Sequence, residues 1–136
     1  MPSVARLPGA DSKEFEDGIP NVLEFTRRFA AAGGKIHAGT DTVTGGTPGL
    51  SQHHEMEMLV EAGLTPMQAI VAATGTNAEI LGGAKQFGTL QAGRRADFLV
   101  LDANPLDDIH NTEKLSAVWQ AGKTVPSVSA KVVGAN

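Results

Sequence analysis

Apolar positions change their period twice along the chain. Phe15, Ile19, Val22, Leu23, Phe29 and Ala30 recur at helical spacing. They predict a helix with Pro20 in its first turn and Gly33-Gly34 at its end. "KIHAGT" then alternates, Ile36, Ala38 and Thr40 against His37, Gly39 and Asp41, which predicts a short strand. The glycine-rich loop "DTVTGGTPGL" follows. Ser51 can cap a second helix that runs to Ala62, stops at Gly63 and buries Met56, Leu59 and Val60. His54, Glu57 and Glu61 share its other face. "TPMQ" from Thr65 and "TNAE" from Thr76 are capping boxes that predict two further helices, the last ending at Gly82-Gly83.

After Gly83 the period becomes two. A strand is expected from Ala96 to Leu101, a turn around Asn104-Pro105, and two strands joined at Ala121-Gly122. The first twelve residues read as a loop and the tail after Val125 as frayed. The order is thus helix, strand, loop, helices, then a small antiparallel cluster. A lone strand before the helices has no parallel partner within the chain, yet such strands need neighbours for their backbone groups. The expectation is the end of a larger α/β protein, with exposed edges that pair with a missing segment or a second copy.

Composition narrows the chemistry. The 136 residues suffice for one ordinary domain, and 41% apolar with 19% charged residues fits a globular class. A net charge of −4 and 4% aromatics argue against nucleic acid or an anionic membrane as partner. No apolar run predicts a membrane span or a signal peptide, so the location expected is the cytoplasm. With no cysteine, disulfides, thiolate nucleophiles and Cys-based zinc sites are excluded, leaving oxygen and imidazole ligands.

The candidate residues follow from placement. Asp41 stands where the alternating segment meets the loop. An Asp there caps or turns the chain, or it belongs to a site, since barrel enzymes hold their chemistry at strand ends. His37 falls on the same side as Asp41; it is either an interior ligand or a packed, hydrogen-bonded histidine, the commoner case. His53 and His54 are adjacent, so a helix points them about 100° apart and they cannot converge on one ion. "GGTPG" lacks the dinucleotide-binding spacing. "AGKTV" contains Gly-Lys-Thr, but a phosphate-binding loop needs glycine where Ala117 stands.

Several blocks occur in a telling order: "AGTDT", "HEMEMLVEAGLTPMQAIVAATGTNAEILG", "GTLQAGRRADFLVLDANPLDDI" and "VWQAGKTV". Over residues 33–125 the chain resembles the C-terminal part of the metal-dependent amidohydrolase superfamily, in the branch of imidazolonepropionase-like and Xaa-Pro dipeptidase-like enzymes. The resemblance implies an α/β fold, the C-terminal fragment of a (β/α)8 barrel followed by part of a small β-sandwich domain. Residues 1–86 would be the last barrel units, 87–126 the C-terminal strands of the composite β-domain, and 127–136 a tail. It implies that Asp41 binds a divalent metal, zinc, and accepts the proton of the attacking water, a metal lowering the pKa of bound water to about 7. Opposite charge would keep Asp41 ionised. His54 and Thr42 would bind substrate or position the loop, although His54 also reads as a solvated helix-face histidine beside Glu57 and Glu61.

Relatives draw further ligands from a His-x-His pair, a bridging carboxylate and two more histidines; this chain has no His-x-His, and its histidines are His37, His53, His54 and His110. The chain is therefore expected to carry one part of a site, to be inactive alone and to bind no metal by itself. The complete enzyme would hydrolyse C–N bonds in small amides, cyclic amides or dipeptide-like substrates. The alternative is a non-catalytic, self-associating binding or assembly module derived from such an enzyme.

Overall fold

A computed structural model describes residues 12–41 and 49–126, with side chains from Asp17 onward in the first stretch. Helix α1 spans Ser12–Ala31, α2 Ser51–Glu61 and α3 Pro66–Val71. A π turn over Ala72–Thr76 links α3 to α4, Asn77–Ile80. Three strands follow: β1 (Phe98–Leu101), β2 (Leu115–Gln120) and β3 (Lys123–Thr124), with a 3₁₀ turn at Ile109–Glu113 between β1 and β2. The sheet order is β1-β2-β3, antiparallel throughout.

The helices stop where the sequence places glycine. Gly63 has φ 101°, a left-handed conformation that costs glycine little. Its N–H donates to Val60 O at 2.9 Å, and Leu64 N–H donates to Leu59 O at 3.1 Å. This paired closure satisfies carbonyls that the helix end would otherwise orphan, and it buries Leu64 with Leu59. The same bond pair closes α1 at Gly33-Gly34 and α4 at Gly82-Gly83.

Helix starts follow the pattern less closely. The Thr65 box forms in full: Gln68 N–H donates to Thr65 Oγ1, and Thr65 N–H donates to Gln68 Oε1 at 2.8 Å. Ser51 does not cap α2; Leu50 holds that position in helical conformation without a side-chain cap bond. Nor does Thr76 cap α4, because its φ and ψ of −66° and −40° continue the helix from α3 through the π turn. An N-cap needs extended backbone, so the second box is overridden by continuity. Pro20 also lies inside α1 rather than in its first turn, since the helix already begins at Ser12.

The expected strand "KIHAGT" forms no ladder; residues 34–41 run without regular structure. The physical reason is the one anticipated, the want of a strand neighbour among the described residues. Its alternation nevertheless survives as exposure. Ile36, Ala38 and Thr40 turn inward, whereas Lys35, His37, Gly39 and Asp41 face outward.

The core gathers Ala38, Met56, Leu59, Ala62, Leu64, Ala69, Ala72 and Ile109, with Leu23, Ile36, Val60 and Ile70 packed against it. Small side chains dominate, and among the described residues no large side chain is fully buried. Large apolar groups lie outside it: Val22 is 59% exposed, and Phe25, 69% exposed, stacks on Phe29 at 6.0 Å. The 3₁₀ turn brings the sheet region to the helices through Ile109 in the core and a 3.0 Å contact between His53 Nδ1 and Thr112 Oγ1. In the sheet, Phe98 pairs with Trp119, their rings stacked at 5.4 Å. No helix among the described residues is long and apolar enough to cross a membrane.

Candidate functional site

Asp41 ends the alternating segment with φ 42°. Only Ala121 among the other described non-glycine residues has positive φ. Ala121 sits in the tight turn between β2 and β3, where hairpin twist calls for such backbone. Among the described residues no hairpin includes Asp41. Asp tolerates the left-handed region better than most residues, yet backbone of this kind concentrates at functional positions. Its side chain is exposed, on the same side of the segment as exposed His37.

The segment is anchored three residues before that carboxylate. Ala38, 4% exposed, donates its N–H to Ala72 O at 3.3 Å and accepts from Asn77 Nδ2 at 2.9 Å. Ala72 opens the π turn that links α3 to α4.

His54 lies on α2, half-exposed, with Nδ1 3.1 Å from Glu57 Oε2. The other Glu57 oxygen is 3.8 Å from His110 Nε2, and His110 Nδ1 is 2.7 Å from Asp108 Oδ1. Glu57 thus stands between two imidazoles, one from α2 and one from the 3₁₀ turn. The Asp108 carboxylate, and behind it the charge of Glu57, raise the His110 pKa above its ordinary value. His110 in turn holds Asp108 below the usual carboxylate range. Sequence spacing placed His54 beside Glu57 correctly but missed His110, which joins them only through the tertiary fold. Thr42 lies outside the described residues.

A cleft of about 270 Å³ between α1 and α2 is lined by Pro20, Leu23, Glu24, Arg27, Glu61 and Ala62. None of the candidate residues lines it. Among the described residues no three His, Asp or Glu side chains are grouped so as to hold a metal ion. Asp41 is one carboxylate, and a single oxygen donor group falls short of the ligand set a hydrolytic metal needs. The described residues therefore do not make a metal site by themselves.

The sequence matches the amidohydrolase family over residues 6–125, nearly its whole length. The chain belongs to that family. Ochratoxinase of Aspergillus niger is 41% identical over 98 residues, covering 68% of this chain and 19% of the relative. Imidazolonepropionase of Deinococcus deserti is 38% identical over 103 residues, covering 73% and 26% respectively. Among solved structures, a Xaa-Pro dipeptidase superposes with a TM-score of 0.72 at 29% identity, covering 78% of this chain and 26% of that one. Phenylurea hydrolase B gives 0.68 at 32% identity, covering 74% and 26%. This amidohydrolase chain spans about a quarter or less of the length of these relatives. Both the family and the branch expected from the sequence blocks are found.

Proposed function

We propose that this chain is the Asp41-bearing part of a metal-dependent hydrolase that cleaves C–N bonds in small amides, cyclic amides or dipeptide-like substrates. Residues 1–86 then form the last units of a (β/α)8 barrel, and residues 87–126 the C-terminal strands of a small β-domain. Asp41 accepts a proton from the attacking water and delivers it to the departing nitrogen, a transfer worth about 10²–10⁴-fold in rate. The complete enzyme holds a divalent metal, zinc, with Asp41 as this chain's contribution and the other ligands outside it. His37, on the same exposed side of the segment, is a further candidate for the interior; His54 and Thr42 position substrate or the loop between them.

The observation that carries this proposal is Asp41 itself, an exposed carboxylate in left-handed backbone at the end of an anchored, alternating segment. The names of the relatives, imidazolonepropionase, ochratoxinase, Xaa-Pro dipeptidase and phenylurea hydrolase, support the bond class. The test is a screen of the longer protein containing this chain against N-acyl amino acids, dipeptides and cyclic amides, with zinc added or chelated. Zinc-dependent turnover is expected, with none from the 136-residue chain alone. A longer protein inert towards all three substrate sets overturns the proposal.

A second reading has its own support. The uncovered apolar face of α1, with Val22, Phe25 and Phe29 exposed, suits a non-catalytic module that associates with a second copy. Either a missing segment of the enzyme or another protomer would cover that face. A stable zinc-free oligomer without hydrolase activity would favour the module.

A further inference from the structure

The segment that presents Asp41 has no strand beside it among the described residues, yet its buried middle residue is bonded as though it had. Ala38 gives its N–H to Ala72 O at 3.3 Å and takes a hydrogen bond on its carbonyl from Asn77 Nδ2 at 2.9 Å. Both partners belong to the irregular helix that runs from α3 to α4. Ala72 is the first residue of the π turn, and Asn77 follows immediately after its last. The same Asn77 amide also donates to Ala73 O at 3.3 Å, which ties the side chain to its own helix.

We infer that Asn77 is a positioning residue for Asp41: its amide holds Ala38 and so sets which way the carboxylate three positions on is presented. The role depends on the reading of Asp41 given above. Alternation makes register decisive, since a slip of one residue would turn His37 and Asp41 inward and Ile36 and Ala38 out. Three extended residues span roughly 10 Å, so little slack separates the anchor from the carboxylate. Removing the amide leaves a buried carbonyl unpaired and frees the segment to shift.

Asn77→Asp tests this with almost no change of volume, because a carboxylate cannot donate to the Ala38 carbonyl. In the 136-residue chain, NMR of the variant is expected to show faster exchange of the Ala38 amide. A changed HN–Hα coupling at Asp41 is expected with it, reporting loss of the left-handed φ. A residue that merely filled space would leave both unmoved, and unmoved values overturn the inference. If the aspartate variant does not fold, Asn77→Ala is read by the same two measurements. Wild-type chain adds a readout that needs no variant, since slow exchange of the Asn77 Nδ2 protons is expected and rapid exchange overturns the inference.

In the longer enzyme, with whichever N-acyl amino acid, dipeptide or cyclic amide it turns over best, Asn77→Asp should lower kcat about 10- to 100-fold with KM nearly unchanged, the scale of a small misplacement of a reacting group. Asp41→Asn run alongside separates the two failures. Full activity there overturns the role of Asp41, whereas an inactive Asp41→Asn beside a fully active Asn77→Asp overturns only the role of Asn77.

Discussion

Asp97 Oδ1 accepts the backbone N–H of Ala121 at 2.7 Å, joining the start of the sheet to the turn between β2 and β3. Gly122 N–H donates to Ala96 O at 3.0 Å beside it, and Arg95 pairs with the other Asp97 oxygen. The Ala121 bond, seconded by Arg95, holds the Asp97 carboxyl below the usual carboxylate range. A depressed pKa adds stability above the ordinary Asp value, and that stability is lost as pH falls through the folded-state value. Hairpin order should therefore decline on acidification below about pH 4. Asp97→Ala should remove this acid transition and lower the thermal midpoint at neutral pH. Midpoints of both proteins across the acid range check it; parallel curves would show that the bond contributes nothing.

Gly88 occupies a place that no other residue fits. Its φ is 92°, and a Cβ there would lie 2.4 Å from Ala78 Cβ and 3.0 Å from Thr74 O. The loop after α4 thus folds back onto the π turn at contact distance. Gly88→Ala should destabilise the chain by about 1–3 kcal/mol, the usual range for overpacking. Urea denaturation measures it. A loss below a few tenths would mean that the loop does not pack on the helix in solution.

Local chemistry was legible in the sequence wherever the deciding atoms lie within a few residues of one another. The Thr65 box, the three glycine closures and the tight turn at Ala121-Gly122 all read correctly, because each is settled by one turn of backbone. The Thr76 box carries an equally good local pattern but loses to the continuing helix, since its backbone never leaves the helical region. Asp41 and Ala38 fall on opposite sides of the segment as the sequence predicted, although the ladder expected around them is absent from the described residues. What the sequence could not show are the pairings across distance. Asn77 reaches a carbonyl 39 positions away, and Glu57 meets His110 only because the 3₁₀ turn, itself not anticipated, docks on α2.

That docking should respond to pH. The His110 pKa is raised, so its ionic contribution is fully present below the ordinary histidine value and fades as pH rises through the folded-state value. His110 is 66% exposed, which limits the effect to at most about 1 kcal/mol. Thermal midpoints should fall slightly between about pH 6 and pH 8. His110→Gln should flatten that slope. An unchanged slope would place the titration elsewhere and leave the Asp108 and Glu57 contacts of His110 without a stabilising part.

Asp41 gives the sharpest separation of function from fold. Its side chain is exposed and absent from the core, so a neutral amide of the same shape disturbs little packing. Asn also tolerates the left-handed backbone found there. Asp41→Asn should therefore leave the free energy of unfolding within about 0.5 kcal/mol of wild type, as surface changes do. On the role proposed for Asp41, the same change in the longer protein would remove the group that takes up and passes on the proton, and turnover should drop by about two to four orders of magnitude. Paired measurements of melting and of amide hydrolysis decide between outcomes. Loss of both would make Asp41 a structural residue, and retention of both would leave the carboxylate without a chemical role.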